Sequence, residues 1–216
     1  MERQNEMTAS RSSARQRLLE TVGDLFYHKG IRSVGVDTIA EQSGVGKPTL
    51  YRHFSTKDEL IAAYLEEEER LHWTWFEEVI AEHKGSPKLQ LLAVFDAMAQ
   101  RLAQPGYRGC AFLNALAEFS EADHPAHRQA IEYQRALRLR LYQLSQQIGA
   151  RDPEALADQL LVVINGVLAS VPIFGSAGPA AQLTTIVTHL IDLQLERSQE
   201  PSHLKATGLC EQVLLD

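Results

Sequence analysis

The sequence predicts an all-α protein, with an N-terminal three-helix helix-turn-helix domain followed by a larger helical part, about nine helices in all. Three observations carry this. Apolar residues recur three and four apart along most of the chain, the spacing of one helix face. No run alternates apolar and polar residues between hairpin turns, as strands would. Gly and Pro punctuate the helical patterns, at Pro105-Gly106, His124-Pro125, Gly149 to Pro153 and Gly175 to Pro179, where a chain stops or turns. With 216 residues, 44% of them hydrophobic, the chain can bury a real core. Its Pro and Gly content excludes a fibrous or largely disordered protein.

The first helix runs from about Ser12 to Lys29, with Leu18, Leu19, Val22, Leu25 and Phe26 on one face and Gly30 as its stop. Val36, Ile39 and Ala40 then mark a short second helix. Gly35 is its N-cap, Val34 and Ile39 have the spacing of a hydrophobic staple, and Gly44 and Gly46 end it around Val45. A third helix, only two turns long, starts at Lys47, because Pro48 is tolerated in a first turn, and buries Leu50 and Phe54. Thr56-Lys57-Asp58-Glu59 is a capping box that opens a long fourth helix reaching about His83. Further helices follow over Leu89 to Leu102, Cys110 to Phe119, Ala126 to Ile148, Glu154 to Phe174 and Ala180 to Leu195.

Charge is unevenly placed. The formal net charge is −7. From Met7 to Lys57, however, eight basic residues (Arg11, Arg15, Arg17, Lys29, Arg32, Lys47, Arg52 and Lys57) face four acidic ones (Glu20, Asp24, Asp37 and Glu41). A basic head on an acidic body suits a chain that meets a polyanion at one end. The second and third helices have the size of a helix-turn-helix, whose second member enters the major groove. With Leu50 and Phe54 turned inward, Lys47, Thr49, Tyr51, Arg52 and His53 form a compact outer surface able to hold phosphate and reach base edges.

The run from Val36 to Phe54, VDTIAEQSGVGKPTLYRHF, followed by STKDEL through Leu60, resembles the DNA-binding domain of TetR-type transcriptional regulators. The resemblance covers about the first quarter of the chain closely. Gly46 and Pro48 depart from the residues common there, Ser and then Gly or Ala, and bear on operator choice. The resemblance implies a homodimeric repressor bound to double-stranded operator DNA and released by a small ligand. It also implies roles by motif. Thr38 would contact phosphate, Lys47, Pro48 and Thr49 would face bases or backbone, and Tyr51, His53 and Lys57 would grip flanking phosphates. Arg52 has two readings, a DNA contact or a surface pair with Glu41 or Asp24.

In the remaining chain, Trp73, Trp75, Phe76, Phe95, Met98, Phe112, Phe119, Tyr133, Tyr142 and Phe174 are more large side chains than an aliphatic core would use. With Asn114, Arg140 and Asn165 among them, they suggest an apolar pocket with few polar anchors, although each alone fits ordinary packing. The last two helices are apolar on more than one face, through Leu160, Ile164, Val167, Leu168 and Val171, then Leu183, Val187, Leu190 and Ile191. The surplus predicts a two-fold four-helix dimer interface, with Gly166, Ala169 and Ser170 permitting close approach.

Other motifs carry less. Gly44-Val45-Gly46-Lys47 is not a P-loop, since Glu41 and Pro48 stand where Gly and Ser or Thr are required. His124 and His127 flank Pro125 at a helix start and fit a capping loop better than a metal site. Glu66 to Glu69 fits a solvated stretch, and Cys110 a small buried hydrophobe rather than a redox sensor. No catalytic constellation is found, so neither an enzyme nor a cofactor is expected. Cys110 and Cys210 form no metal or disulfide pattern, residues 1–10 lack an apolar leader, and Leu160 to Val171 is shorter than a membrane span. A cytoplasmic protein without a membrane partner is the expectation. The chain divides into a flexible tail 1–10, a DNA-binding unit 11–57, a ligand-binding and dimerisation unit 58–197, and a tail 198–216 where Leu204, Leu209, Val213 and Leu214 could dock a short helix. Remaining alternatives are a regulator without ligand control, an activator and, more remotely, a helical enzyme or a protein-binding adaptor.

Overall fold

The computed structural model describes residues 13–195; the two expected tails lie outside the described residues. Within them the chain is all helical: α1 (Ala14–Lys29), α2 (Val36–Ser43), α3 (Lys47–His53), α4 (Lys57–Ala81), α5 (Pro87–Leu102), α6 (Ala111–Glu118), α7 (Pro125–Gln147), α8 (Pro153–Phe174), a 3-10 turn (Pro179–Gln182) and α9 (Leu183–Leu195).

The first three helices close on Leu18, Val22, Leu25, Ile39, Leu50 and Phe54, all buried. Gly44 takes the left-handed conformation, φ 63°, that ends α2 and that residues with a Cβ adopt reluctantly. The following turn is plugged by buried Val45, whose N–H donates to Ser43 Oγ at 3.2 Å. The capping box at α4 forms: Thr56 Oγ1 accepts from the Glu59 N–H at 3.1 Å, and Glu59 reaches back to the Ser55 N–H at 2.7 Å. From there α4 runs 25 residues without interruption. The body packs α7 along α8, α4 against α5 and α7, and α9 against α5 and α8.

Three prolines sit differently from the sequence reading. Pro87, Pro125 and Pro153 each occupy a first-turn position of α5, α7 and α8. A first-turn residue has no intrahelical acceptor for its N–H, so proline costs nothing there and its fixed φ suits the helix. His124 caps α7, its Nδ1 accepting from the Ala126 N–H at 3.2 Å.

The dimer-interface assignment needs correction. Leu160, Ile164, Val167, Val171, Leu183, Val187 and Ile191 are all buried inside the single chain, while Leu168 and Leu190 are partly buried. Periodicity identified the apolar stripe but not which protein surface covers it. The large apolar side chains left outside on α8 and α9 are Val162, 71% exposed, Ile173, Phe174, Ile186 and Leu193. The helix α8 also runs longer than its strictly apolar stretch, and at 22 residues it is long and apolar enough to cross a membrane. Its inner face is used against α7 and α9.

The turn after α8 is tight. A Cβ at Gly178 would lie 2.6 Å from Phe174 Cβ and 2.9 Å from the Phe174 carbonyl oxygen. Gly178→Ala should therefore destabilise the protein by about 1–3 kcal/mol, through forced displacement of backbone. Gly166→Ala, with nothing within 4 Å, should not. Urea unfolding followed by circular dichroism compares the two.

Candidate nucleic-acid interface and ligand cavity

On α3, Leu50 and Phe54 are buried, while Lys47, Pro48, Tyr51, Arg52 and His53 are exposed and Thr49 is half-buried. Thr38, on the facing edge of α2, is half-buried. Lys47 forms an ion pair with Asp37 of α2, which raises the lysine's pKa by hydrogen bonding and charge. Arg52 makes no ion pair among the described residues, so neither Glu41 nor Asp24 holds it. A cation missed by motif reading is Arg15, whose guanidinium lies 5.5 Å from the centre of the Phe54 ring at the end of α3.

Lys57 corrects the sequence reading. Its ammonium donates to the Ile31 carbonyl at 2.8 Å and lies over the Phe26 ring, and burial pushes its pKa down. It ties α4 to the turn after α1 instead of standing free for phosphate. That turn is held from the body as well. The Glu118 carboxylate, on the last residue of α6, accepts the N–H groups of Ile31 at 2.9 Å and Arg32 at 2.7 Å. The Arg32 guanidinium pairs with Glu121 at 3.2 Å and stacks 4.8 Å from the Phe119 ring centre. A fourth tie is Tyr27, whose hydroxyl accepts from the Arg108 N–H at 2.9 Å and donates to the Gly109 carbonyl at 3.1 Å.

Behind these ties lies a cavity of about 550 Å³, within the range of small-molecule sites. One face of α4 supplies Glu68, Leu71, His72 and Trp75; α5 supplies Met98, Arg101 and Leu102; α7 and α8 supply Tyr133, Gln134, Leu137, Ile164, Asn165 and Leu168. The loop before α6 contributes Tyr107, Gly109 and Cys110, and α6 itself Ala111 and Phe112. The DNA-side helix α1 closes the remaining wall with Gly23, Asp24, Tyr27 and His28.

Of the thirteen residues named for a pocket, Trp75, Met98, Phe112, Tyr133 and Asn165 line this one. The others have different positions. Phe76 and Phe95 are core residues with 1% and 0% exposure. Trp73 packs on Phe76 and Tyr133 and donates its indole N–H to Glu69. Asn114 donates to the Arg108 carbonyl, Phe119 stacks on His124, and Arg140 pairs with Glu77 at 2.9 Å. Helical spacing says which residues share a face, not which face meets a void. Sequence reasoning missed Glu68, His72, Arg101, Tyr107 and Gln134, although the i, i+3, i+4, i+7 series Glu68, Leu71, His72, Trp75 was visible.

The cavity wall is poor in satisfied polar groups. His72 Nε2, both amide atoms of Gln134 and Asn165 Oδ1 are buried without a hydrogen-bond partner. Burial, helped by the charge of Arg101, pushes the His72 pKa down to about 4, so its ring is neutral at pH 7. Burial likewise raises the Cys110 thiol, which favours its protonated form. Tyr133 stacks face to face on Phe112, with ring centres 3.7 Å apart.

The fold and this geometry define a helix-turn-helix DNA-binding protein with a cavity behind its reading head. A family model described as bacterial regulatory proteins, tetR family, matches residues 18–64. The crystal structure of SCO4454, a TetR-family transcriptional regulator from Streptomyces coelicolor, superposes with a TM-score of 0.82 at 33% identity, over 91% of this chain and 97% of that one. The reduced form of Escherichia coli NemR shares the fold, with a TM-score of 0.75 at 20% identity over 82% of this chain and 96% of that one. Among curated relatives, the HTH-type transcriptional activator FasR of Mycolicibacterium smegmatis is 43% identical over 56 residues, 26% of each chain. Such relatives are matched over only about a quarter to a third of their own length, 26% and 35% for the first two. The chain belongs to the TetR family of transcriptional regulators.

The buried neutral His72 has a consequence for stability. Its folded pKa is about 4 against an ordinary 6.5, so the unfolded state takes up the proton first as pH falls. Stability is lost from about pH 6.5 downward, at up to about 1.4 kcal/mol per pH unit, until the folded state also protonates near pH 4. His72→Leu should be less sensitive than the wild type across that window by this increment. Urea unfolding of both proteins at several pH values checks it.

Proposed function

We propose that this protein is a homodimeric repressor whose α3 surface binds operator DNA and whose cavity binds a small, largely apolar molecule that releases it. One observation carries the reading: α1 belongs to the helix-turn-helix head and also forms a wall of the cavity through Asp24, Tyr27 and His28. A ligand cannot fill that space without bearing on the head. Residues 11–57 serve as the DNA-reading unit and 58–197 as the sensing and pairing unit, with α4 running from one into the other.

For DNA contact, Thr38, Lys47, Pro48, Thr49, Tyr51, Arg52 and His53 remain the assigned set. Arg15 joins it, and Lys57 leaves it for its bond to the Ile31 carbonyl. Lys47 would exchange Asp37 for phosphate on binding, which keeps a lone cation off the free surface. The pairing surface is reassigned to the exposed apolar residues Val162, Ile173, Phe174, Ile186 and Leu193, since exposed patches of this kind mark association sites. A two-fold pair built on α8 and α9 presents two heads to half-sites about one helical turn apart or a multiple of it.

Two experiments test this reading. Operator duplexes selected by the protein from random sequence are titrated by fluorescence anisotropy. Tyr51→Ala and Arg52→Ala should bind more weakly with unchanged thermal stability, and each lost phosphate contact should lower the log-log salt slope by about 0.9. Unchanged affinity and slope would remove α3 from the interface. Sedimentation at micromolar concentration should give a dimer for the wild type and a folded monomer for Val162→Glu. By contrast, Val167→Glu, a charge placed in the protomer core, should unfold the chain. A folded monomeric wild type would overturn the assembly.

A further inference from the structure

The chemistry of the cavity wall specifies what it takes, on the reading above that the cavity is a ligand site. Glu68 projects from the cavity-lining face of α4. Among the described residues its carboxylate makes no hydrogen bond and no ion pair, while its neighbours Glu67 and Glu69 bond Arg70 and Trp73. Arg101 of α5, which also lines the cavity, makes no ion pair with Glu68; its guanidinium lies 4.7 Å from the Trp75 ring centre. The other titratable groups facing the cavity offer no counter-charge. His28 of α1 is paired with Asp24 at 3.1 Å, His72 is neutral, and Tyr27, Tyr107, Tyr133 and Cys110 are all pushed upward in pKa by burial. The result is one desolvated, unpaired acid among Trp75, Tyr107, Phe112 and Tyr133. Ring faces attract cations, more strongly when water is excluded, and a carboxylate taken out of water is costly until a cation or a proton meets it.

We propose that the cavity takes an organic cation, an apolar or ring-bearing amine, amidinium or quaternary ammonium, whose charge meets the Glu68 carboxylate and whose body lies against the aromatic wall. Desolvation raises the Glu68 pKa, partly offset by Arg101 and reinforced by Glu67. A bound cation therefore competes with a proton at this group, and affinity should fall as pH is lowered, beginning above the ordinary carboxylate range.

The test uses the full chain and three probes on one ring system: trimethyl(2-naphthylmethyl)ammonium, the uncharged 2-(2-naphthyl)ethanol and the anionic 2-naphthylacetate. Binding is read by calorimetry. The cation should bind about tenfold tighter than the alcohol, and 2-naphthylacetate should bind weakest. Glu68→Gln should erase the preference for the cation and leave the alcohol unchanged. In the wild type, lowering the pH from neutral down into the carboxylate range should weaken the cation selectively; this arm needs no variant. Equal or tighter binding of the alcohol or 2-naphthylacetate would overturn the charge assignment while leaving the cavity a ligand site. Retention of the preference in Glu68→Gln, or a pH-independent cation affinity, would also overturn it. Failure of all three probes to bind at millimolar concentration would overturn both this assignment and the ligand-site reading on which it rests.

Discussion

Of the ties that hold the turn after α1, the Glu118 carboxylate is the one that binds its backbone twice. Glu118 ends α6 and receives the N–H groups of Ile31 and Arg32, the first two residues after α1 and its terminal glycine. Hydrogen bonds from backbone amides to a carboxylate are among the stronger ones a protein makes, and here both oxygens are used. The arrangement also explains the neighbouring glycine. Gly30 has φ 89°, and a Cβ there would lie 3.3 Å from Glu118 Oε1, so a larger residue would meet both backbone strain and the carboxylate. Because α2 and α3 hang from this turn, the orientation of the reading surface depends on where α6 ends. At its other end α6 begins with Ala111 and Phe112 in the cavity wall. An eight-residue helix thus touches the cavity at one end and the head at the other.

Much of the head was legible in the sequence because its signals are local. A glycine at a left-handed position, a capping box, a proline in a first turn and apolar residues four apart each act within a few residues, and together they place α1 to α4 closely. The body obeys the same rules but is decided by what packs across the space between helices. That is why the apolar stripe Leu160, Ile164, Val167 and Val171 is buried within the chain, leaving Val162 and Ile173 outside. The same limit applies to the aromatic residues: Phe76 and Phe95 share the composition of a pocket wall and fill the core instead. Pro87, Pro125 and Pro153, by contrast, begin their helices for a local reason, the first-turn tolerance of proline, where the sequence reading started them one or two residues later.

Glu118 and Glu68 show what a sequence conceals and what it betrays. A carboxylate on the last residue of a helix faces the negative end of the helix dipole, a local cost that points to a contact elsewhere, here the α1–α2 turn. Glu68 sits in a run of four glutamates that resembles a solvated surface. Its spacing to Leu71, His72 and Trp75 nevertheless places it on a face whose other members are apolar or aromatic. The charge asymmetry along the chain has a related refinement. Basic residues concentrate in the head, but Lys57 bonds the Ile31 carbonyl and Arg32 pairs with Glu121, so not every cation of the head stands free.

On the proposed function, α6 and the Glu118 carboxylate carry the state of the cavity to the DNA-reading head. Amide hydrogen exchange at Ile31 and Arg32, resolved by NMR in the free protein and with the cavity saturated by a bound molecule, reads this coupling. Both amides should be protected in the free protein, and occupancy of the cavity should change their exchange by about tenfold or more while amides in the middle of α1 change little. A ligand that fills the cavity and weakens DNA binding, yet leaves exchange at Ile31 and Arg32 unaltered, would contradict it.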